Sequence, residues 1–192
     1  MAKNYGHLLA SSRFICFVLS TSFGFSLLLV QGAMLPFLVI NQLNFSASIY
    51  GWFITITGVG YLLGAFAGGK IASIIKRRNT IILGALITII TNIIAIVLSI
   101  HYFNIYVLIV PLFFVLFGAG FIVPIGSSGA ISPFPHAAGS AAALLGATMF
   151  TVSSILTAIS AHVSENKQMP FFIYLLIISI AALLLMFFIR KE

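Results

Sequence analysis

Acidic residues are almost absent from this chain: Glu165 and Glu192 are the only two in 192 residues, and the charged fraction is 6%. An ordinary soluble domain carries roughly a quarter charged residues. Two acids and nine Lys/Arg cannot make a water-facing surface. The single cysteine, Cys16, excludes an internal disulfide. Neither acid lies in a long apolar run, and intramembrane carboxylates are the usual proton relays, so no relay can be assigned here. His7, His101, His136 and His162 fall at ends or in loops without ligand spacing, and no metal or cofactor is expected.

What is present is apolar mass, 61% of the chain. It must face lipid. A helical span needs roughly 20 apolar residues, and six runs reach that length: 14–35, 50–75, 81–100, 105–125, 137–161 and 171–189. Each is continuously apolar, which argues against barrel strands, since those alternate apolar and polar residues. Helices satisfy their own backbone in lipid. The expectation is an all-α membrane protein, one six-helix domain over residues 1–192. The first run is too long for a signal-peptide core and is read as a retained span.

The net charge of +7 does not indicate nucleic acid, because the basic residues sit between apolar runs. With the N-terminus cytoplasmic, Lys3, Arg13, Lys70, Lys76, Arg77, Arg78, Arg190 and Lys191 share one side, and Lys167 alone takes the other. That is the positive-inside pattern, and it places both termini in the cytoplasm. Tyr50 and Trp52 fit an aromatic belt at the far interface.

Small residues give the clearest internal pattern. Gly60, Gly64 and Gly68 recur on the second span, and Gly139, Ala143 and Ala147, beside Gly146, on the fifth. Such rows let backbones approach closely where lipid gives no hydrophobic drive for association. Gly118, Gly120, Pro124, Gly126 and Gly129 crowd the second half of the fourth span. They predict a bent helix end, a hinge or a piece of cavity wall. Gln31 and Asn92 are the strongly polar side chains inside spans, and each needs a partner. Gln31 shares a helical face with Ser20 and Gly24, so Gln31, Ser20, Gly24 and Asn92 are candidates to line a solute cavity. The hydroxyls of the fifth span, Thr148 to Ser160, are expected mostly to bond their own helix carbonyls. Gly126-Ser127-Ser128-Gly129 matches the Gly-x-Ser-Gly of rhomboid-type intramembrane proteases, but the sixth span has no histidine to act as base. An enzyme is not expected.

The stretch from Pro124 to Gly146, with Pro133-Phe134-Pro135-His136, Gly139 and the small residues through Gly146, resembles the connector between the tenth and eleventh helices of multidrug exporters of the Bcr/CflA type, in the major facilitator superfamily. Pro36-Phe37 resembles that family's Pro-Phe after its seventh helix, and the segment from Tyr5 to Phe14 resembles the lead-in to that helix. The resemblance implies the second half of a twelve-helix drug–proton antiporter in a bacterial inner membrane. It also implies a solute site between two halves. The partners are then the bilayer, a small drug-like or amphipathic solute, and a complementary six-helix half or a second copy. Pro133, Pro135 and Gly139 join Gly118, Gly120 and Pro124 as hinge or gating candidates. One departure stands out: Ser73 replaces the acid, and Lys76 the glycine, of the superfamily's Gly-x-x-x-Asp-Arg-x-Gly-x-Arg loop. The competing reading is a remnant that inserts but transports nothing.

Overall fold

The computed structural model describes residues 8–102, 104–163 and 168–188. Lys3, His7, Glu165, Lys167, Arg190, Lys191 and Glu192, used above for charge and topology, lie outside the described residues. Six long helices follow one another: α1 (Ser12–Pro36), α2 (Ala47–Ile74), α3 (Arg77–His101), α4 (Ile105–Ile131), α5 (Ala138–Ser160) and α6 (Gln168–Phe187). All six segments are long and apolar enough to cross a membrane. No strand occurs among the described residues. The chain is an all-α, multi-pass membrane protein.

Polar caps start several helices. Ser11 Oγ accepts from the Phe14 N–H at the head of α1, Ser46 Oγ from Ile49 at α2, and Asn104 Oδ1 from Tyr106 at 2.7 Å at α4. Each satisfies one of the backbone donors that a helix start leaves free. The end of α1 is unusual. Pro36 contributes no N–H, and beyond it the chain widens into a π-helical turn, Phe37–Gln42, where Leu43 N–H reaches back to Leu38. Asn44 then adopts φ 55°, a left-handed conformation that asparagine tolerates, and the helix stops.

Three boundaries differ from the sequence reading. Arg77 and Arg78 form the first turn of α3 rather than a free connector. The π-turn carries the first span on to Gln42. The fourth helix does not end in its Gly/Pro-rich half: it runs unbroken through Pro124, Gly126 and Gly129 to Ile131. Neighbouring helices press on those glycines and hold the backbone helical.

Helices α1 and α4 form the centre. α4 packs against α1, α2 and α3, whereas α1 packs against α4, α5 and α6, and α6 closes the bundle against α3. One apolar cluster joins Leu27, Val30 and Leu35 of α1 to Leu112 and Val115 of α4 and Phe171 and Phe172 of α6. A second, at the end bearing Arg13 and Arg78, joins Phe14, Phe17, Ile81, Ile122 and Met186. The outer faces of α3 and α6 carry large aliphatics, including Ile90, Ile94, Val97, Ile177 and Leu184, as a lipid-facing surface should.

Candidate functional site

Polar groups inside the bundle are few, and each has an identifiable place. Gln31, on α1, is 4% exposed, and its Nε2 donates to Thr57 Oγ1 on α2 at 2.8 Å. The Thr57 hydroxyl in turn donates to the Ile54 carbonyl at 3.1 Å. A threonine has one O–H, so toward Gln31 it can only accept, and that fixes which end of the amide faces it. Gln31 Oε1 is buried and has no hydrogen-bond partner among the described residues. Thr57 was not picked out by sequence reasoning. Its one signal is that it continues the stripe of Gly60, Gly64 and Gly68, which are the other buried positions of α2.

The face shared by Ser20, Gly24 and Gln31 does not line one space in this structure. Ser20 Oγ donates to the Ala182 carbonyl of α6 at 3.1 Å. Gly24 is pressed against α4, where an added Cβ would come 2.6 Å from Ile122 Cγ2. Gln31 turns to α2. Asn92 lies elsewhere, between α3 and α6, donating to Ser179 Oγ at 3.3 Å with its Oδ1 unpartnered among the described residues. The four cavity candidates thus serve four different helix contacts. The physical reason is that Ser20, Gly24 and Gln31 point toward the helices that pack on α1, whereas its open face is the neighbouring stripe of Phe25, Leu29, Gly32 and Ala33.

The glycines of α4 sit at backbone contacts. A Cβ on Gly118 would lie 2.6 Å from Thr88 Cγ2 and 2.7 Å from the Gly84 carbonyl, and one on Gly120 would lie 2.6 Å from Ala65 N. Gly126 faces Thr21 and Gly129 the Phe17 ring. Opposite them, Gly60 meets the Phe113 carbonyl, Gly64 that of Phe117, and Gly68 the Phe121 backbone. Pro124 is half-buried within the continuous helix, while Pro133 and Pro135 are exposed in the connector. Between those two prolines, Phe134 docks edge-on against Phe14 of α1, with ring centroids 5.7 Å apart.

The small residues of α5 behave otherwise. Ala143 and Ala147 are exposed, and a Cβ on Gly139 or Gly146 would meet nothing within 4 Å among the described residues. The same outward face carries Thr151 and Ser154. The inward hydroxyl Ser153 bonds across to α1, accepting from Ser26 Oγ at 3.0 Å and donating to the Ser22 carbonyl at 3.3 Å. Tyr174 of α6 donates to the Leu156 carbonyl at 2.6 Å.

The basic end is tied together by its arginines. Arg77 donates to Ser132 Oγ, just past the end of α4. Arg78 Nε donates to the Met186 carbonyl at 2.8 Å near the end of α6, and its guanidinium lies 5.9 Å from the Phe187 ring centre. Cations here complement the negative ends of α4 and α6. The serine of the protease-like motif, Ser128, is exposed on α4, and its neighbour Ser127 donates its Oγ–H to the Val123 carbonyl of their own helix at 2.8 Å.

A family model described as Major Facilitator Superfamily matches residues 14–192, nearly the whole bundle. This chain belongs to the Major Facilitator Superfamily. Its members are membrane transporters rather than enzymes, and the six-helix bundle with its narrow Gly/Phe seam between α2 and α4 is this superfamily member's scaffold. The chain is also similar to Multidrug resistance protein D of Escherichia coli (strain K12), 40% identical over 65 residues. That match spans 34% of this chain and 16% of the relative, so it covers far less than two thirds of that protein.

Proposed function

We propose that this superfamily member is one half of a proton-coupled exporter of drug-like or amphipathic solutes, of the Bcr/CflA type, corresponding to the C-terminal six helices. It works opposite a complementary six-helix half or a second copy of itself. The carrying observation is the outward face of α5. Its Gly139, Ala143, Gly146 and Ala147 form a small-residue row flanked by hydroxyls, with both alanines exposed and a Cβ on either glycine meeting nothing among the described residues, while the exposed faces of α3 and α6 are largely aliphatic. Lipid gives no reason for that contrast, whereas close helix approach does. Halves of this kind flank a solute site near the bilayer midplane. With a complementary half, the proton-carrying group belongs to that half, because neither Glu165 nor Glu192 lies in an apolar span of this chain or of a second copy of it. The clustered arginines support a cytoplasmic side for the basic end, in keeping with a bacterial inner membrane.

The test is flux. The chain is purified in mild detergent, its mass determined, and it is reconstituted with and without a six-helix counterpart. A strict monomer is expected to move no lipophilic solute, and addition of the counterpart is expected to restore proton-driven flux. Transport by a proven monomer alone refutes the proposal.

A further inference from the structure

The Gln31–Thr57 pair is incomplete in a way that has consequences. A glutamine amide has two N–H donors and a carbonyl oxygen that accepts. Thr57 takes one donor, and Oε1 is left buried without a partner. A buried acceptor without a donor is costly, and native structures contain few of them. The pair also stands at a thin place in the bundle. Helices α1 and α2 touch little elsewhere along their lengths. The residue after each partner is a glycine, Gly32 and Gly58, and a Cβ on either would meet nothing within 4 Å. Gly32 is exposed and Gly58 half-exposed, so among the described residues open surface begins one residue away from the pair on each helix. The apolar cluster that includes Val30 and Met34 of α1 also takes in Tyr50, Phe53 and Tyr61 of α2.

We propose that Gln31 Oε1 is a hydrogen-bond acceptor for the transported solute, reached when the Gln31–Thr57 contact parts, and that the solute class it selects is a neutral, largely apolar molecule with one O–H or N–H donor. This gives a ligand class to the transporter reading above and rests on it for its meaning. Neutrality follows from the charges. Neither acid of the chain lies in a span, so a cation at Gln31 would lose its water without gaining a counter-ion from this half, which is unfavourable at membrane depth. A neutral donor loses far less and supplies the missing hydrogen bond, while the aromatic and aliphatic neighbours take its apolar body. The arrangement is also poised. The closed state leaves an acceptor unsatisfied and the open state satisfies it, so a donor-bearing solute has the differential affinity needed to shift the balance toward opening. Asn92 has a comparable orphan oxygen. It lies between α3 and α6, which pack closely, and no glycine gap adjoins it.

The experiment needs neither a counterpart nor a proton gradient, so its failure is separable from failure of the half-transporter reading. Radiolabelled 4-butylphenol and its methyl ether, alike in shape but differing in the O–H, are bound to the full detergent-solubilised chain and read by scintillation proximity. The phenol is expected to bind saturably and about tenfold tighter than the ether, the value of one such hydrogen bond. Gln31→Met, similar in length and apolar, is expected to remove that preference, and Thr57→Val, which opens the pair but leaves Oε1 in place, to keep it. Equal binding of phenol and ether by the unaltered chain overturns the proposal without recourse to any variant. A preference that survives Gln31→Met overturns it as well.

Discussion

Helices α4 and α5 are written in the same alphabet of glycine, alanine and hydroxyls, yet they have opposite fates. Of the most apolar stretch of each segment, 61% is buried in α4 and 11% in α5. In α4 every small residue from Gly118 to Gly129 that was singled out in the sequence meets a neighbouring helix of the same chain. In α5 a Cβ on Gly139 or Gly146 would meet nothing among the described residues. A small-residue row therefore signals close approach without saying to whom, and the proposed half-transporter puts the partner of the α5 row outside these 192 residues.

The largest test of that contrast is at the α2–α4 seam. A Cβ on Gly64 would overlap the Phe117 carbonyl, which is backbone and cannot rotate away. Gly64→Val should cost about 3 kcal/mol, at the upper end of ordinary overpacking, or prevent folding altogether. The unfolding free energy in a mixed-micelle denaturation series measures it. A loss below half a kilocalorie would mean that α2 can pull back from α4, and the seam would no longer distinguish α4 from α5.

A second test concerns how the ends are held. α4 and α6 are tied at the basic end through Arg77 and Arg78. Arg78→Met keeps most of the apolar stem and removes both the bond to the Met186 carbonyl and the contact with Phe187. The expected loss is about 1–2 kcal/mol from a charged hydrogen bond with a cation–π contribution, seen as a lower melting temperature in detergent. Equal stability of Arg78→Met and the unaltered chain would remove the clasp and leave Arg78 only a topological role.

How far the sequence foretold this depends on range. Six spans were legible because each run is apolar on its own, and no tertiary partner is needed to see that. The continuation of α4 past Ile125 was not legible, since Pro124, Gly126 and Gly129 are locally helix-breaking and only Thr21 and Phe17 of α1, far away in sequence, explain why the backbone stays helical there. Gln31 stood out as an amide in lipid, but its partner Thr57 did not, because a threonine in a span ordinarily bonds its own helix and this one does that as well. The arginines were read as topology signals from charge alone. Their hydrogen-bonding to Ser132 and Met186 depends on helix ends that only the fold brings together.

A smaller effect is expected at the α1–α5 contact, the most extensive that α5 makes among the described residues. Ser153→Ala removes the hydroxyl that accepts from Ser26 and donates to the Ser22 carbonyl. Interhelical hydrogen bonds in membranes average about 0.6 kcal/mol, and without Ser153 the single Ser26 O–H turns to the Ser22 carbonyl, 2.8 Å away, so the loss should be near that value. A loss of several kilocalories would show that α5 is held in place by this polar contact rather than by packing.

The smallest expected change in stability belongs to the outward row of α5, and it is the most informative for that reason. Ala143→Leu and Gly146→Leu put bulk where the chain has no neighbour. Folding stability should move by no more than about 0.5 kcal/mol, as for substitutions away from packed features, and Gly146→Leu could even gain slightly from helix propensity. The same bulk is expected to block close approach of another helix, so co-purification with a counterpart half and reconstituted flux should both fall sharply. The equivalent pair in α4, Gly118→Leu and Gly120→Leu, should lose stability first. If the α5 variants destabilise the isolated chain as α4 variants do, the row has an intramolecular partner after all. If they leave both stability and association intact, the face is lipid-exposed, and the small residues of α5 have no packing role.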